Sequence, residues 1–342
     1  MHNLPHLLAP SNTQRIYDVI AHVWAESTKE TYGLGLLIYH TFCDQKEIPE
    51  DQWAPTSPAL ISAFISTLTG SYVASTVTNY ISGVHAWHTI HGLPWALNSD
   101  ELDALFRASK SLAPTPSKPS REPYTIEAIC KIRQHLTLSE PLHTAVFACL
   151  TTIFFSTAHT GEFTVNNLNS FNPSIHVTRG HMSVQHNHQG FKITNFHIPR
   201  TKAAPLGEDV NWAKQDGPAD PQEVLTNHFN INNPPLEFHI FTYKVKNSYH
   251  PLTCSKFLKT LEMAGKSAGL PPLKGHGLRI GSTLEYLLHN VPFEVVKVKD
   301  RWASDAFLIY LRKHAQILAP YMQAKPALHE AFLHHIIPPV CR

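Results

Sequence analysis

The stretch GHGLRIGSTLEYLLHN, residues 275–290, joins a helical apolar period to a polar start. Ile280 and Leu284, followed by two further leucines, recur at the spacing of one helix face, which predicts an amphipathic helix. His276 and Arg279 are three residues apart, so we expect them one turn apart on the same side of this helix. Both side chains suit a phosphate ligand, and the amide groups of a helix N-terminus attract anions. The stretch therefore raises the question why a helix with an apolar face begins with two side chains suited to a phosphate.

Length and composition indicate a globular chain. Its 342 residues suggest two domains, and an apolar content of 43% is enough to form packed cores. The sequence has no run of about 20 apolar residues, so we expect no membrane span. Residues 1–14, MHNLPHLLAPSNTQ, lack the basic start and the apolar centre of a secretory signal.

The cysteines indicate a reducing compartment. They occur at five scattered positions, none of them in a CxxC pair: Cys43, Cys130, Cys149, Cys254 and Cys341. An odd number without paired spacing is typical of reduced thiols inside a cell. We therefore expect an intracellular protein.

Charge is distributed unevenly, although the formal net charge is only +2. Residues 1–113 carry 5 Lys and Arg against 10 Asp and Glu, whereas the remainder carries 23 against 16. A basic C-terminal part is compatible with a polyanionic partner. The acidic N-terminal part argues against a protein that coats nucleic acid without specificity.

Twenty-four histidines raise the question of a metal site. The candidates are the pair His186 and His188 and the pair His334 and His335. Neither pair has the i,i+4 spacing of a helical metal motif or a nearby cysteine. We therefore expect no metal and no small-molecule cofactor, with most histidines at the surface or hydrogen-bonded in the core.

The N-terminal third predicts a helical bundle. Four segments have a helical period, at about residues 27–45, 55–70, 71–92 and 99–112. Ser27 with Glu30 three residues later matches a capping box, and Ser99 is a candidate N-cap for the fourth segment. Gly70 and Gly92 end the second and third segments. Four or five helices with short connections predict a compact bundle.

The segment APTPSKPSREPYT, residues 113–125, is the clearest linker in the chain because three prolines fall within seven residues. It separates a first domain, residues 1–113, from a second domain, residues 125–342, with the linker itself at 114–124. The second domain starts with helical patterns, among them the apolar run 142–158. Between about 173 and 245, SIHVTRGHMSVQ and GFKITNFHIPRTK alternate like two strands with Gly190 near the turn between them, and EFHIFTYKV fits a further strand or an extended edge. The pattern becomes helical again from Thr253. The predicted fold class is therefore mainly α, of the α+β type, with one small antiparallel sheet in the second domain.

Three stretches of the second domain carry groups suited to chemistry on a phosphate: RTKAAPLGEDV (200–210), GHGLR (275–279) and RWASDAFLIY (301–310). Each is ordinary by itself. Lys202 fits a solvated lysine at a hairpin tip, Arg279 fits a common ion pair, and Tyr310 fits a helix core position. The spacing is more specific, because Trp302 follows Arg279 by 23 residues and Tyr310 follows Trp302 by 8.

With H-x-x-R at His276 and Arg279, then Trp302 and Tyr310, the chain resembles the tyrosine recombinases, or phage-integrase family. The phrase RWASDAF before Tyr310 is similar to that of fungal transposon-type (Crypton-like) recombinases. STKETYGLGLLIYHTFCD and STVTNYISGVHAWH resemble the family's helical core-binding domain. The resemblance covers residues 12–319 and implies a SAM-like core-binding bundle followed by a tyrosine-recombinase catalytic domain.

The resemblance implies a role for each matched residue. Tyr310 would attack the scissile phosphorus and leave a 3′-phosphotyrosyl link with a free 5′-hydroxyl. Arg279 would bind the non-bridging oxygens, and His276 would donate to the phosphate or take the tyrosine proton. Lys202 would protonate the 5′-oxygen, and Trp302 would add an indole N–H donor and apolar packing.

His159 stands where the family has its first catalytic arginine. The family motif R-x-G-E-L follows an apolar helix, whereas this chain reads AHTGEFTV, with Glu162 at the acidic position. An alternative alignment places Phe163 there, which is a poorer match. Histidine offers one donor toward the phosphate and only when protonated, and losing a fixed donor costs about 100- to 1000-fold in rate. Arg200 and Lys297 are candidates to fill the space of the missing arginine.

Two functional hypotheses follow. The first is a recombinase that breaks and rejoins DNA strands, favoured by five matched positions. The second is a catalytically weakened or inactive sequence-specific DNA-binding protein on the same scaffold, favoured by His159 and the acidic first domain. A type IB topoisomerase shares the nucleophile and fold, but Trp302 is typical of recombinases. The chain has no GxxxxGK loop, no GxSxG elbow and no dinucleotide fingerprint.

The resemblance also implies the partners. Double-stranded DNA would lie between the two domains, and a homo-oligomer, a tetramer, would assemble on two DNA sites. Lys118 and Arg121 of the linker would contact phosphates. Lys29, Ser75 and Asn79 of the first domain are candidates for groove contacts, and solvated helix ends are the alternative interpretation. A nuclear location is implied as well.

Overall fold

The computed structural model describes residues 15–16, 18–20, 22–96, 99–115, 122–289 and 291–302. Several residues named above lie outside these ranges: Lys118, Arg121, Tyr310, His334 and His335. The chain divides into two compact units, Met1–Pro119 and Ser120–Arg342. The predicted linker bounds, 114–124, and the role of each domain stay predictions.

The first unit is a helical bundle. Its described helices are α1 Glu26–Gln45, α2 Pro58–Leu68, α3 Ala74–Ile90 and α4 Ser99–Ser111. Gly35 of α1 and Gly83 of α3 allow a close crossing, because an added Cβ would lie 2.7 Å from Tyr80 Cα in the first case and 2.5 Å from Tyr32 O in the second. Apolar faces of α1, α2 and α3 fill the core. The bundle thus forms from the apolar periods of the sequence.

The predicted capping box at Ser27 is wrong. The N-cap of helix α1 is Ala25 rather than Ser27, so the helix begins at Glu26, and the N-cap makes no side-chain hydrogen bond. Ser27 therefore lies inside the first turn, where its carbonyl accepts a hydrogen bond of 3.0 Å from the Thr31 hydroxyl. In α2, by contrast, Ser57 is the N-cap and accepts from Leu60 N at 3.2 Å.

The second unit is built around one buried helix. Its described helices are α5 Ile126–Gln134, α6 Pro141–Ser156, α7 Pro221–Asn232, α8 Cys254–Ser267, α9 Gly275–Leu288 and α10 Phe293–Lys299. Every residue of α6 from Thr144 to Ser156 is buried, as expected for a helix that is apolar on all sides. Thr157 ends α6 in the left-handed conformation, with φ at 56°. The chain then turns toward the start of α9.

The sheet of the second unit has the antiparallel order β1–β2–β3, with β1 at Met182–His186, β2 at Lys192–Ile198 and β3 at Glu208–Ala213. The hairpin of β1 and β2, with Gly190 in its turn, follows the predicted alternation. Strand β3 was not predicted; it pairs with β2 from Ile193↔Ala213 to Ile198↔Glu208. A separate ribbon pairs β4 Tyr243–Val245 with β5 Ser248–His250. The mainly helical fold class with a small antiparallel sheet is confirmed.

Helix α9 is the helix predicted from the opening stretch, and His276 and Arg279 lie near its start. Glycines let another part of the chain cross it in contact with its backbone. Tyr124 N donates to Gly277 O at 3.0 Å, and a Cβ at Gly281 would overlap Tyr124 O. The segment just before α5 is therefore fixed against the helix that positions the site.

Candidate functional site

A cavity of about 350 Å3 opens where α9 begins. It is lined by the turn after α6, by one residue of α8 and by the start of α9: Ala158, His159, Thr160, Gly161, Leu258, Lys274, Gly275, His276 and Arg279. None of these lining residues is acidic, and four are basic. A helix N-terminus with basic side chains around it is suited to an anion.

Arg279 forms the inner wall of this cavity and is only 4% exposed. Its Nη1 contacts Nε2 of His159, and its Nη2 donates to the backbone carbonyl of Asp300. Its guanidinium carbon lies 4.8 Å from the centre of the Trp302 ring. Contacts on three sides fix the plane of the guanidinium. The structure thus brings together His159, Arg279 and Trp302, which are far apart in the sequence.

His159 is the residue before a 3₁₀ turn, Thr160–Glu162, and forms a capping box with it. Its backbone N–H donates to Glu162 Oε2 at 2.8 Å, and its side chain accepts from Glu162 N. Both neighbours of the ring, Glu162 N–H and the Arg279 guanidinium, are donors, whereas a neutral imidazole has a single acceptor nitrogen, so protonation would leave the ring with no acceptor for either neighbour. Although His159 reaches the surface, desolvation and then the charge of Arg279 lower its pKa to about 4. The ring is therefore neutral at pH 7.

Arg301 lies beside this turn and was missed by the sequence analysis. Its Nη2 donates to Glu162 Oε2 at 2.7 Å, and its Nη1 lies 2.7 Å from Glu208 Oε1. Its backbone is in the left-handed region, with φ at 57°. The two carboxylates join the turn after α6 to the start of β3 through this one side chain. They also compensate its charge, so Arg301 adds little positive potential to the cavity.

The segment that carries Trp302 is held by further hydrogen bonds. Lys299 O accepts from the Thr157 hydroxyl at 3.0 Å, and Lys299 Nζ donates to Asn211 O at 2.9 Å. The buried Asp300 carboxylate accepts from the Thr283 hydroxyl of α9. Burial lowers the pKa of Lys299 to about 8. These bonds fix residues 299–302 to the end of α6, to α9 and to β3.

The other predicted residues of the second unit differ in whether they line the cavity. His276 lines the cavity and is half-buried. Lys202 and Arg200 are exposed on the loop between β2 and β3, residues 199–207, and neither lines the cavity. Lys297 lies on α10 and does not line it either. Lys274, which the sequence analysis did not select, does line it.

The described candidates of the first unit are exposed. Lys29 lies in the first turn of α1. Ser75 and Asn79 lie four residues apart near the start of α3, and thus on one face of that helix. This exposure leaves all three side chains accessible to a macromolecular partner.

The described ranges show neither a metal cluster nor a membrane-spanning helix. Among these residues, no group of three or more His, Cys, Asp or Glu side chains has the arrangement of a metal site. Within the same ranges, no helix combines the length and the apolarity needed to cross a bilayer.

Comparison with known proteins gives a match in fold but not in sequence. No family model matches the chain, and no curated protein matches it. XerH site-specific recombinase, bound to its palindromic difH substrate in a post-cleavage complex, superposes with a TM-score of 0.53 at 15% identity, covering 89% of this chain and 79% of that chain. A lambda integrase dimer bound to a COC′ core site gives 0.52 at 14% identity, covering 88% and 76%. The chain therefore has the tyrosine recombinase fold.

Proposed function

We propose that the protein binds double-stranded DNA and breaks and rejoins its strands at specific sites through a 3′-phosphotyrosyl intermediate. One observation carries this proposal: Arg279, in contact with both His159 and Trp302, lines a basic cavity at the start of α9, on a recombinase fold. The match to fungal transposon-type recombinases rests on the RWASDAF phrase of the sequence.

The cavity is suited to hold the scissile phosphate. Arg279 is fixed by His159, Asp300 and Trp302 before any ligand arrives, so its donors need no reorganisation when charge develops on the non-bridging oxygens. The cavity also lies at the N-terminus of α9, and the N-terminus of a helix attracts anions. His276 lies at the cavity edge, where it can donate to a phosphate oxygen or accept the tyrosine proton.

The remaining reaction steps need Tyr310 and Lys202. Tyr310 is the proposed nucleophile: its oxygen bonds to phosphorus while the bond to the 5′-oxygen breaks. Lys202, exposed on the β2–β3 loop, is the proposed donor of the proton that this 5′-oxygen takes up. Rejoining reverses these steps, with a 5′-hydroxyl attacking the phosphotyrosyl bond. No cofactor enters the balance, because the energy of the cleaved bond is kept in the protein link.

DNA binding would use both units. We assign core-binding to the first, where Lys29, Ser75 and Asn79 are exposed, and strand cleavage to the second. The linker residues Lys118 and Arg121 would contact backbone phosphates. Assembly as a tetramer on two DNA sites and a nuclear location belong to the same proposal.

A second candidate function is supported by one observation. His159 is neutral at pH 7 and accepts a hydrogen bond from Glu162 N where the family has a charged donor, so the cavity lacks one fixed positive charge. A DNA-binding protein with weak or no cleavage activity would keep the fold and the anion cavity but would cleave DNA strands slowly or not at all. The two candidates differ in one product, the covalent protein–DNA adduct.

Covalent trapping tests both. A library of nicked duplexes is first shown to contain DNA that the protein binds, and is then incubated with the parent chain, His159→Arg and Tyr310→Phe. DNA-linked peptides are mapped by mass spectrometry. An adduct on Tyr310 in the parent establishes strand cleavage. An adduct only in His159→Arg establishes a DNA-binding protein whose cleavage activity is absent because of the residue at position 159. Adducts from neither, on bound DNA, refute the proposed cleavage.

A further inference from the structure

Lys274 is a basic residue of the cavity wall to which the recombinase resemblance assigns no role. It immediately precedes α9 as the N-cap residue and makes no side-chain cap hydrogen bond. The residue is exposed, and among the described residues its side chain has no recorded hydrogen bond or ion pair. Its ammonium group is thus available at the mouth of the cavity.

A lysine is an unfavourable choice at this position. Ser, Thr, Asp and Asn are preferred at an N-cap, because their oxygens accept from the free amides of the first turn. A cation beside these amides also meets the positive end of the helix dipole. Neither cost is offset by a contact of Lys274 in the described structure. A residue that is unfavourable for its local structure and gains no compensating contact is expected at functional sites. A bound anion would offset the repulsion between the Lys274 ammonium group and the positive end of the helix dipole.

The charges around the cavity show what Lys274 can add. Arg279 is the fixed guanidinium of the inner wall. His159 is neutral, and Arg301 is held between two carboxylates. Arg200 and Lys297, the candidates from the sequence, do not line the cavity. Lys274 is therefore the lining residue that can supply a second full positive charge at neutral pH.

We propose that Lys274 binds the phosphate in this cavity and supplies the positive charge that the histidine at position 159 does not. The inference rests on the proposed function for the identity of its ligand, a DNA phosphodiester. Lysine acts here as a point charge on a flexible stem, whereas an arginine at position 159 would be a planar, fixed donor. Lys274 would therefore recover part of the charge stabilisation of the phosphate, but not the fixed planar hydrogen bonds that an arginine provides.

The first test needs no catalysis. Tyr310→Phe protein is acetylated at lysines with sulfo-NHS-acetate at rising inorganic phosphate, and the rates at Lys274 and Lys259 are followed by mass spectrometry. Lys259 is exposed on α8 and does not line the cavity, so it is the internal control. At phosphate about twice its dissociation constant, acetylation of Lys274 should slow about threefold relative to Lys259. If the ratio of the Lys274 rate to the Lys259 rate stays unchanged up to about 50 mM phosphate, the proposal is overturned.

The second test uses the rate of covalent adduct formation. Lys274→Gln should lower this rate about 100-fold, and Lys274→Arg should restore it to within about threefold of the parent. In a His159→Arg background, Lys274→Gln should cost less than about fivefold, since the arginine then supplies the charge. Lys259→Gln is the matched control.

The outcomes separate this inference from the proposed function. An unchanged rate in Lys274→Gln, or an equal loss with and without His159→Arg, overturns the role of Lys274 while strand cleavage stands. A parent that forms no adduct overturns strand cleavage, and the acetylation experiment then decides by itself whether Lys274 binds phosphate.

Discussion

The two sides of the proposed site are built in opposite ways. On one side, Arg279 is buried and held by His159, Asp300 and Trp302, and the residues around it are fixed to α6, α9 and β3. On the other side, the β2–β3 loop exposes Lys202, and Leu206 in the same loop is 95% exposed. The groups that stabilise charge are thus in place without DNA, whereas the proposed proton donor has no such support. Substitutions on the first side should change folding and rate together, and those on the second should change rate alone.

The largest effect is expected for Arg279→Lys. A lysine has no planar fork to contact His159 and the Asp300 carbonyl together, so the rate of adduct formation should fall about 1000-fold and the thermal midpoint should drop as well. Single-turnover trapping and thermal unfolding measure the two. Arg200→Lys, on the exposed loop, is the control. It should change the rate of adduct formation by less than about twofold and leave the thermal midpoint unchanged. A normal rate in Arg279→Lys would remove the central role given to this residue.

Gly281→Ala tests the packing behind the fixed side. The new methyl group would overlap the carbonyl of Tyr124, so we expect a loss of about 3 kcal/mol in the free energy of unfolding of the second unit. Gly265→Ala is the matched control, because this buried glycine of α8 has nothing within 4 Å of an added Cβ. It should stabilise the helix by up to about 1 kcal/mol. Urea unfolding gives both values, and equal values for the two variants would contradict the close crossing at Tyr124.

Lys202→Gln tests the exposed side. If Lys202 protonates the leaving 5′-oxygen, adduct formation should fall about 100-fold on ordinary DNA and under threefold on DNA with sulfur at that position, since a thiolate leaves without a proton. The thermal midpoint should not move, because the side chain is exposed. Lys192→Gln, at the exposed start of β2, is the control. Equal losses on the oxygen and sulfur substrates would exclude a proton-transfer role.

The smallest effect is expected for His159→Arg. It should raise the rate of adduct formation about 10-fold at pH 7, where the native ring is neutral, by restoring a charged donor. Because the pKa of His159 is lowered to about 4, the protonated fraction grows to about a tenth as pH falls from 7 to 5, and the advantage should shrink to about fivefold. NMR titration of the imidazole and trapping at both pH values check this. A ring that titrates above pH 6 without DNA would contradict the proposed environment of His159.

Local patterns predicted the elements whose structure depends on their own residues. The apolar period of residues 275–290 gave α9, and the uniformly apolar run from 142 to 158 gave a helix, which the structure shows to be buried. The capping box at Ser27 failed, because the same letters fit equally well inside a first turn. Strand β3 was missed because its sequence, EDVNWA, begins with two acids and is stabilised by pairing with β2 rather than by its own pattern.

The site divides in the same way. The spacing of His276, Arg279 and Trp302 pointed to phosphate chemistry, and the structure places all three near the start of α9. Arg301 stayed unnoticed beside Trp302, because its partners Glu162 and Glu208 are distant in the chain. Lys274 stayed unnoticed because no sequence pattern distinguishes a lysine at a cavity from one in solvent.

By itself, the sequence determined the helical segments, the first hairpin and the identity of the groups available for chemistry, since these follow from residue types at short spacing. The tertiary structure alone decided which charges act at the cavity. It placed Arg301 between two carboxylates and Lys274 at the cavity mouth, and it desolvated His159 beside a guanidinium, which leaves the ring neutral. The physical reason is that the effective charge of a side chain depends on its solvation and on its neighbours in space, and folding brings those neighbours from distant parts of the chain.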